Sequence, residues 1–293
     1  MTNAQSASVK PKSAMEEIRE QQRQSWNKFA PGWKKWDAFA MEFLRPAGEA
    51  LLKEAGLKPG MRVLDAACGT GEPGLTAAKI VGTTGHVIGT DLSEEMIRVA
   101  QEKARCLGTA NYEATAADAG ALPFESGSFD AVLCRMGVMF FPDPQKAAGE
   151  FFRVLKSGGR LALCAWAEPQ KNPWATTIAD IVNRELAVPP PPPDMPGLFR
   201  QAKPGTLKSI LKAAGFKQAR EVEVAGERDY DGPLQYWELM TEVAAPIAGA
   251  LGKTDEASRK KIQDQVLKAA EKFTRGGKIV FPWSAWVAGA IKP

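Results

Sequence analysis

The sequence predicts an α/β fold with a doubly wound, largely parallel sheet. Three observations carry this reading. From residue 61 onward, short apolar runs alternate with longer amphipathic ones. A glycine-rich turn directly follows the first of those runs. Aspartates stand at the carboxyl ends of the first two runs and just after the third. Strands alternating with helices at this spacing argue for βαβ units.

The elements follow in order. Residues 61–66, M-R-V-L-D-A, read as a buried strand, followed by the glycine turn and a helix to about residue 81. Residues 86–90 form the second strand. Ser93 then N-caps a helix reaching about residue 106, with Glu94 and Glu95 in its first turn, where carboxylates favour the helix dipole. Residues 111–115 and 129–134 are the third and fourth strands. Asp143-Pro144 reads as N-cap and first helical residue. Gly158-Gly159 turns into a fifth strand over 160–166. The second half is less regular. Helices are expected at 172–187 and 206–214, and strands at 217–229 and 278–290. Between those strands lie two helical patterns, 233–250 and 255–275, too long for a simple connection. The proline run 189–193 is expected to be stiff and extended.

Before residue 61, helices are expected at 14–28 and 36–55, with Trp26, Phe29, Trp33 and Trp36 grouped near their junction. These divide the chain into a disordered tail over 1–13, a helical cap over 14–57, a main domain formed by 58–230 with 277–293, and a helical insertion over 231–276. The cap and the insertion both read either as ordinary packing or as lids over a pocket.

Composition excludes several classes. In 293 residues, 44% are hydrophobic and 25% charged, which suits a globular chain with a sizeable core. Net charge is +4, too small to indicate a polyanionic partner. Cys68, Cys106, Cys134 and Cys164 are scattered without a CxxC pair, which argues against a zinc site and fits a reducing cytoplasm. No apolar run approaches a membrane span, and the N-terminus lacks a signal-peptide core. The expected location is cytoplasmic.

The chemistry concentrates in Val63-Leu64-Asp65-Ala66-Ala67-Cys68-Gly69-Thr70-Gly71-Glu72-Pro73-Gly74. Gly69, Gly71 and Gly74 satisfy GxGxxG, a weak signal by itself because dinucleotide enzymes share it. Asp65, at the end of the first strand, would repel a pyrophosphate but attract an ammonium. Asp91 ends the second strand, where a carboxylate can accept from both hydroxyls of a ribose. Asp118 follows the third and can accept from an adenine amino group. Leu92 and Met96 can sandwich that ring. Each aspartate alone reads as a cap or surface residue; three beside one glycine loop form a far more specific set.

The strings V-L-D-A-A-C-G-T-G, G-T-D-L-S-E-E-M, A-A-D-A-G-A-L-P-F, F-D-A-V-L-C and R-V-L-K-S-G-G-R-L-A-L resemble the motif series of class I S-adenosylmethionine (SAM) dependent methyltransferases. Within that superfamily they are most similar to the ubiquinone/menaquinone-biosynthesis-like group, also called methyltransferase type 11. The resemblance spans roughly residues 60–167. It implies a Rossmann-like, seven-stranded sheet whose last strand is antiparallel. It also implies that Asp65, Gly69, Gly71, Asp91, Leu92, Asp118, Ala119 and Cys134 surround SAM, with Ala119 and Cys134 acting through their backbone. S-adenosylhomocysteine would be the product.

Methyl transfer from a sulfonium is an in-line displacement, so the protein mainly aligns the reactants and excludes water. The sequence has one histidine, His86, at the wrong end of the second strand for a base. Glu168, just after the fifth strand, is the best-placed carboxylate for a catalytic role, although by itself it reads first as an ordinary loop residue. Arg135, Tyr230 and Tyr236 are further polar candidates, and Arg135 and Arg200 can recognise an acceptor carboxylate or phosphate. The fourth strand is not followed by the N/D-P-P-aromatic motif of nucleic-acid amino methylation, by a metal-binding aspartate, or by paired glutamates. Metal-independent transfer is therefore expected. Trp33, Met136, Met139, Phe140, Trp166, Trp174 and Trp237 suggest an apolar acceptor pocket, or else simply core. The expected partner is a small molecule. Alternatives are an RNA or protein methyltransferase, supported only by Lys10, Lys12, Arg19, Arg23, Lys28, Lys34 and Lys35 among the early tryptophans; a SAM-binding module without catalysis; and, on GxGxxG alone, a nicotinamide dehydrogenase.

Overall fold

The computed structural model describes residues 13–189, 192 and 194–293. Residues 1–12 of the expected tail, and Pro190, Pro191 and Pro193 of the proline run, lie outside them. Ser13 N-caps the first helix, α1 (Ala14–Lys35), in a reciprocal capping box with Glu16. Helix α1 runs seven residues further than its sequence pattern suggests. It passes through Pro31 and carries Trp26, Phe29 and Trp33 on its own length, because burial of Ala30 against the body outweighs the hydrogen bond lost at the proline. Trp36 closes it, and α2 (Asp37–Ala55) starts at once. Ala40, Leu44, Ala47, Leu51, Leu52 and Ala55 form the buried stripe of α2, at the i, i+3, i+4 spacing of an amphipathic helix. Gly56, in the left-handed region, ends it.

The sheet comprises β1 (Arg62–Ala66), β2 (His86–Asp91), β3 (Tyr112–Ala116), β4 (Phe129–Arg135), β5 (Leu155–Trp166), β6 (Lys217–Tyr230) and β8 (Lys278–Ile291), with a two-residue β7 (Thr274–Arg275) beside β8. Its order is β3-β2-β1-β4-β5-β8-β6. The first five strands pair in parallel, and β8 runs antiparallel between β5 and β6. Central β1 and β4 are almost wholly buried, as continuous apolar strands between two helical layers must be. Strand β5 starts earlier than expected, because Leu155 already pairs with Phe129 before the ladder shifts to Arg160↔Ala131.

Helices α3 (Gly74–Val81), α4 (Glu94–Cys106) and α5 (Pro144–Val154) form the crossovers. Ser93 and Asp143 cap the last two, accepting from Met96 N and Lys146 N. Helices α6 (Pro173–Glu185) and α7 (Thr206–Ala213) follow. The stretch between β6 and β8 holds three helices rather than two: α8 (Pro233–Val243), α9 (Ala245–Leu251) and α10 (Glu256–Ala270). Pro246 has no N–H to continue α8, and Ala244 turns extended between the two helices.

Two features of this topology position the site. After β3 the chain crosses back to place β4 on the other side of β1, so the loops leaving β1 and β4 flank a topological switch point. Helix α1 lies across this end of the sheet, packing on α4 along one side and on α8 along the other. At Gly32 the α1 backbone meets the Glu242 backbone of α8 so closely that a Cβ would overlap the Glu242 carbonyl. Gly32→Ala is expected to weaken this junction by about 1–3 kcal/mol, the usual cost of overpacking. Trypsin should then cut within 14–35 faster than in the wild type; an unchanged cleavage rate would show that the junction does not hold α1 down.

Candidate active site

The site is built around Asp65. Its side chain is fully buried at the end of β1. Oδ2 accepts from Gly74 N at 2.8 Å, whereas Oδ1 has no hydrogen-bond partner. A Cβ on Gly74 would stand 2.7 Å from that Oδ2 and 2.8 Å from the Tyr112 ring, so only glycine admits this approach. Burial pushes the Asp65 carboxyl up to about 8, against the pull of nearby Arg135 and of the Gly74 N–H. Above it, Gly69 takes a left-handed φ of 53° with open space where a Cβ would be. The loop thus offers a bare backbone surface over a carboxylate oxygen with nothing bound to it.

Asp91 braces the same loop. Oδ2 accepts from Gly69 N at 3.0 Å and Oδ1 from Ser93 N at 2.9 Å. Its carboxyl is also raised by burial, with these backbone donors working in the opposite direction. Leu92 is half-buried beside it, and Met96 is buried on α4. Asp118 accepts from Gly120 N at 2.8 Å and pairs with Arg19 of α1 at 3.1 Å. Ala119 follows it, buried. Cys134 is buried in β4, next to β1 in the sheet. The sheet therefore gathers Asp65, the glycine loop, Asp91 and Arg135 at one end.

Arg135, at the end of β4, donates from Nη2 to the Glu72 carbonyl at 2.8 Å and toward Met41 Sδ at 3.0 Å. No described carboxylate lies within 4 Å of it. Met136 and Ala67, on the two loops that flank the switch point, both sit in the left-handed region at φ 62° and 55°. Such strain in two facing loops is characteristic of functional sites.

Aromatic side chains continue the site along β5. Phe43 of α2 stacks on Trp166 with centroids 5.5 Å apart and an interplanar angle of 22°. Trp174 and Trp283 meet the same ring edge-on at 5.5 and 5.8 Å. Met139 Sδ accepts from Trp166 N, and Phe140 meets Trp26 of α1 edge-on at 5.1 Å. Trp33 lies 6.4 Å from Trp26, its indole N–H buried without a partner. Trp237 is buried in the main core cluster.

Other polar candidates have prior engagements. Glu168 stands 3.6 Å from Lys171, which itself pairs with Glu223 of β6 at 2.8 Å, and the buried Glu168 Oε2 has no hydrogen-bond partner. Tyr236 donates to the Trp174 carbonyl at 2.6 Å. Arg200 donates to the carbonyls of Phe141 and Pro142. His86 bonds Glu113 at 3.0 Å in an exposed pair.

The structure adds residues that the sequence reading missed. Asp37, first in α2, accepts from the Thr70 hydroxyl at 2.6 Å and pairs with Lys103 at 2.7 Å, tying α2 to the glycine loop and α4. Asn27 of α1 accepts from the Ser93 hydroxyl at 2.6 Å and donates to Glu94 at 3.1 Å. Tyr112 lies beneath the loop against Gly74 and Gly89. None of these carries a motif; each acts through a partner at least 23 residues away in sequence.

A profile of the methyltransferase domain family matches residues 57–204, slightly more than half of the chain. The chain belongs to this family. It is a class I SAM-dependent methyltransferase. Among curated relatives, the methyltransferase is 29% identical over 281 residues to nocamycin O-methyltransferase of Saccharothrix syringae, covering 88% of this chain and 95% of that one. It is 40% identical over 120 residues to the ubiquinone/menaquinone biosynthesis C-methyltransferase UbiE of Pasteurella multocida, of which it spans 45%. The fold is shared with the YcgJ protein of a Bacillus species, at a TM-score of 0.55 and 24% identity over 84% of this chain and 97% of that one. No described helix is long and apolar enough to cross a membrane.

Burial of Asp65 makes a prediction with a definite sign. Its folded value of about 8 lies above the ~3.9 of an unfolded aspartate. The fold therefore favours the protonated form. The Asp65 contribution is full below about pH 4 and is lost as pH rises toward 8, on the order of 1 kcal/mol per pH unit. Asp65→Asn removes this slope. In urea denaturation of the ligand-free protein, Asp65→Asn should gain stability relative to wild type between pH 5 and pH 8; a constant difference would mean that Asp65 is already ionised at pH 5.

Proposed function

We propose that the methyltransferase holds SAM over Gly69, with its amino acid end toward Asp65 and Arg135, and methylates a small apolar or aromatic acceptor lying against Phe43 and Trp166. The residues present fit the cofactor. An ammonium and a carboxylate on one carbon match the unpartnered Asp65 Oδ1 and an Arg135 guanidinium with no described carboxylate partner. The bare Gly69 backbone leaves room for the chain between them. Asp91, fixed by two backbone N–H groups, keeps lone pairs for ribose hydroxyls.

When bound, SAM supplies a methyl group on a sulfonium, activated by its charge. The chain's own work is then alignment. The aromatic wall of Phe43, Trp166 and Trp174 holds a flat acceptor at the ends of β4 and β5, and Met136 and Met139 fill the floor. Holding two reactants in line is worth on the order of 7–11 kcal/mol. No strong base is needed for that, in keeping with a sequence whose single histidine is tied to Glu113; Glu168, with its unpartnered Oε2, is the carboxylate available where the acceptor arrives protonated. Water is kept out by α1, which lies over the loop and the Asp118 carboxylate.

The single observation that carries the acceptor class is the Phe43–Trp166 stack at the end of β5. Similarity to nocamycin O-methyltransferase through most of both chains supports a small-molecule substrate. The RNA alternative is weakened, because four of its seven basic residues, Arg19, Arg23, Lys34 and Lys35, pair with Asp118, Glu94, Glu102 and Glu242 of the same chain.

Two measurements test this reading. SAM affinity by calorimetry should tighten from pH 6 to pH 8, by up to about tenfold per unit, as Asp65 releases its proton to solvent and faces the bound ammonium as a carboxylate. Asp65→Asn should abolish the trend and Asp91→Asn should weaken binding at every pH; full affinity in both variants would refute the placement. A screen of phenols, quinols, thiols and amines, read by S-adenosylhomocysteine release, should find turnover with ring-bearing acceptors. Phe43→Leu should raise their KM about tenfold with SAM affinity unchanged. Turnover confined to RNA or protein, or an unmoved KM, would count against the aromatic pocket.

A further inference from the structure

Far from the glycine loop, β6 buries a cation that methyl transfer does not use. The Arg228 side chain is only 6% exposed. Its guanidinium lies on the face of Phe39, 3.2 Å from the ring centroid. Its nearest carboxylate, Glu42 Oε2, stands 3.6 Å from Nη1 and is itself 65% exposed. Its Nε is buried with no hydrogen-bond partner. A buried guanidinium with so loose a counter-ion is costly unless something else neutralises it.

The neighbouring acids cannot serve. Glu227 pairs with Arg275 and Asp229 with Lys278, both on the exposed side of the strand. What does adjoin Arg228 is the buried Tyr230, whose hydroxyl lies within the electrostatic reach of the guanidinium. Phe39 touches both, with its ring 5.4 Å from that of Tyr230. Nη1 is turned to Glu42, and the buried Nε is the donor left without a partner. In a guanidinium, Nε and Nη2 form an edge whose two parallel donors match the spacing of a carboxylate's oxygens.

Position connects this pair to the acceptor wall. Phe39 and Phe43 are one turn apart on the same face of α2. Phe43 stacks on Trp166, and Phe39 packs on Arg228 and Tyr230. A ring seated against Phe43 lies one helical turn from Phe39 and its Arg228 neighbour.

We propose that Arg228 and the Tyr230 hydroxyl form a carboxylate subsite at the far end of the acceptor pocket, so that the preferred acceptor is an aromatic or conjugated ring carrying a carboxylate remote from the methylated atom. This rests on the acceptor lying against Phe43 and Trp166. Arg228 there is a specificity residue: it selects and orients the acceptor while the displacement takes place at the other end.

The test compares 2-naphthol with 6-hydroxy-2-naphthoate, titrated by tryptophan fluorescence into the full chain saturated with S-adenosylhomocysteine. The naphthoate should bind at least tenfold more tightly. Arg228→Gln should bring the two affinities together, Arg228→Lys should retain part of the preference, and Glu42→Gln should retain all of it. SAM affinity by calorimetry, unchanged in each variant, shows that the fold has survived. Equal affinities in the wild type, or a preference that persists in Arg228→Gln, overturn the subsite while naphthol binding leaves the aromatic pocket standing. If neither compound binds, the pocket and the subsite fall together.

Discussion

A carboxylate held out of water beneath a glycine loop constrains this end of the molecule. Asp65 can be fully buried only because Gly74 brings its N–H to Oδ2 without a side chain in the way. That contact fixes the start of α3 against the end of β1. It also leaves Oδ1 facing the loop with nothing to neutralise it. The cost of burying that oxygen as an anion is what raises the Asp65 carboxyl and favours its protonated form. Arg135 shares the environment from β4, brought there because the chain reverses its winding between β3 and β4.

Over this rigid base lies a cover held by cheaper interactions. Helix α1 reaches α4 through Arg23–Glu94 and Lys34–Glu102, Asp118 through Arg19, and α8 through Trp36 and Lys35 to Glu242. These are mostly half-exposed pairs, each worth a fraction of a kcal/mol to about 1 kcal/mol. Many such contacts place the helix well, and each is individually easy to break. The Arg19–Asp118 pair ties the helix to the loop that follows β3. A helix that lifts at modest cost and then re-docks suits a site that must admit a large cofactor and afterwards exclude water.

The acceptor side follows a different logic. Phe43, Trp166, Trp174 and Trp283 come from α2, β5, α6 and β8, four elements that no local pattern links. Their edge-to-face contacts make a wall stiff enough to orient a flat molecule. The same α2 helix carries Asp37 at its start, bonded to Thr70 of the loop. One helix thus braces both the glycine loop and the aromatic cluster.

The sequence by itself determined the strand–helix alternation, the caps at Ser93 and Asp143, the glycine loop and the three aspartates at strand ends. Each of these is local: a capping side chain, a left-handed glycine or a strand end is decided within a few residues. It also showed that the chain carries a single histidine. Only the tertiary structure decided which of those residues share a cleft, because strand order is set by long-range pairing. It extended α1 through Pro31, since burial of Ala30 is invisible to propensity. It broke the insertion into three helices, although Pro246 was legible as the reason. It moved Glu168 into a pair with Lys171 and Arg200 onto backbone carbonyls, roles that depend on partners from other elements. Asp37, Asn27 and Arg228 surfaced only in three dimensions, because a polar side chain in a helix or strand looks solvated until the fold shows what covers it.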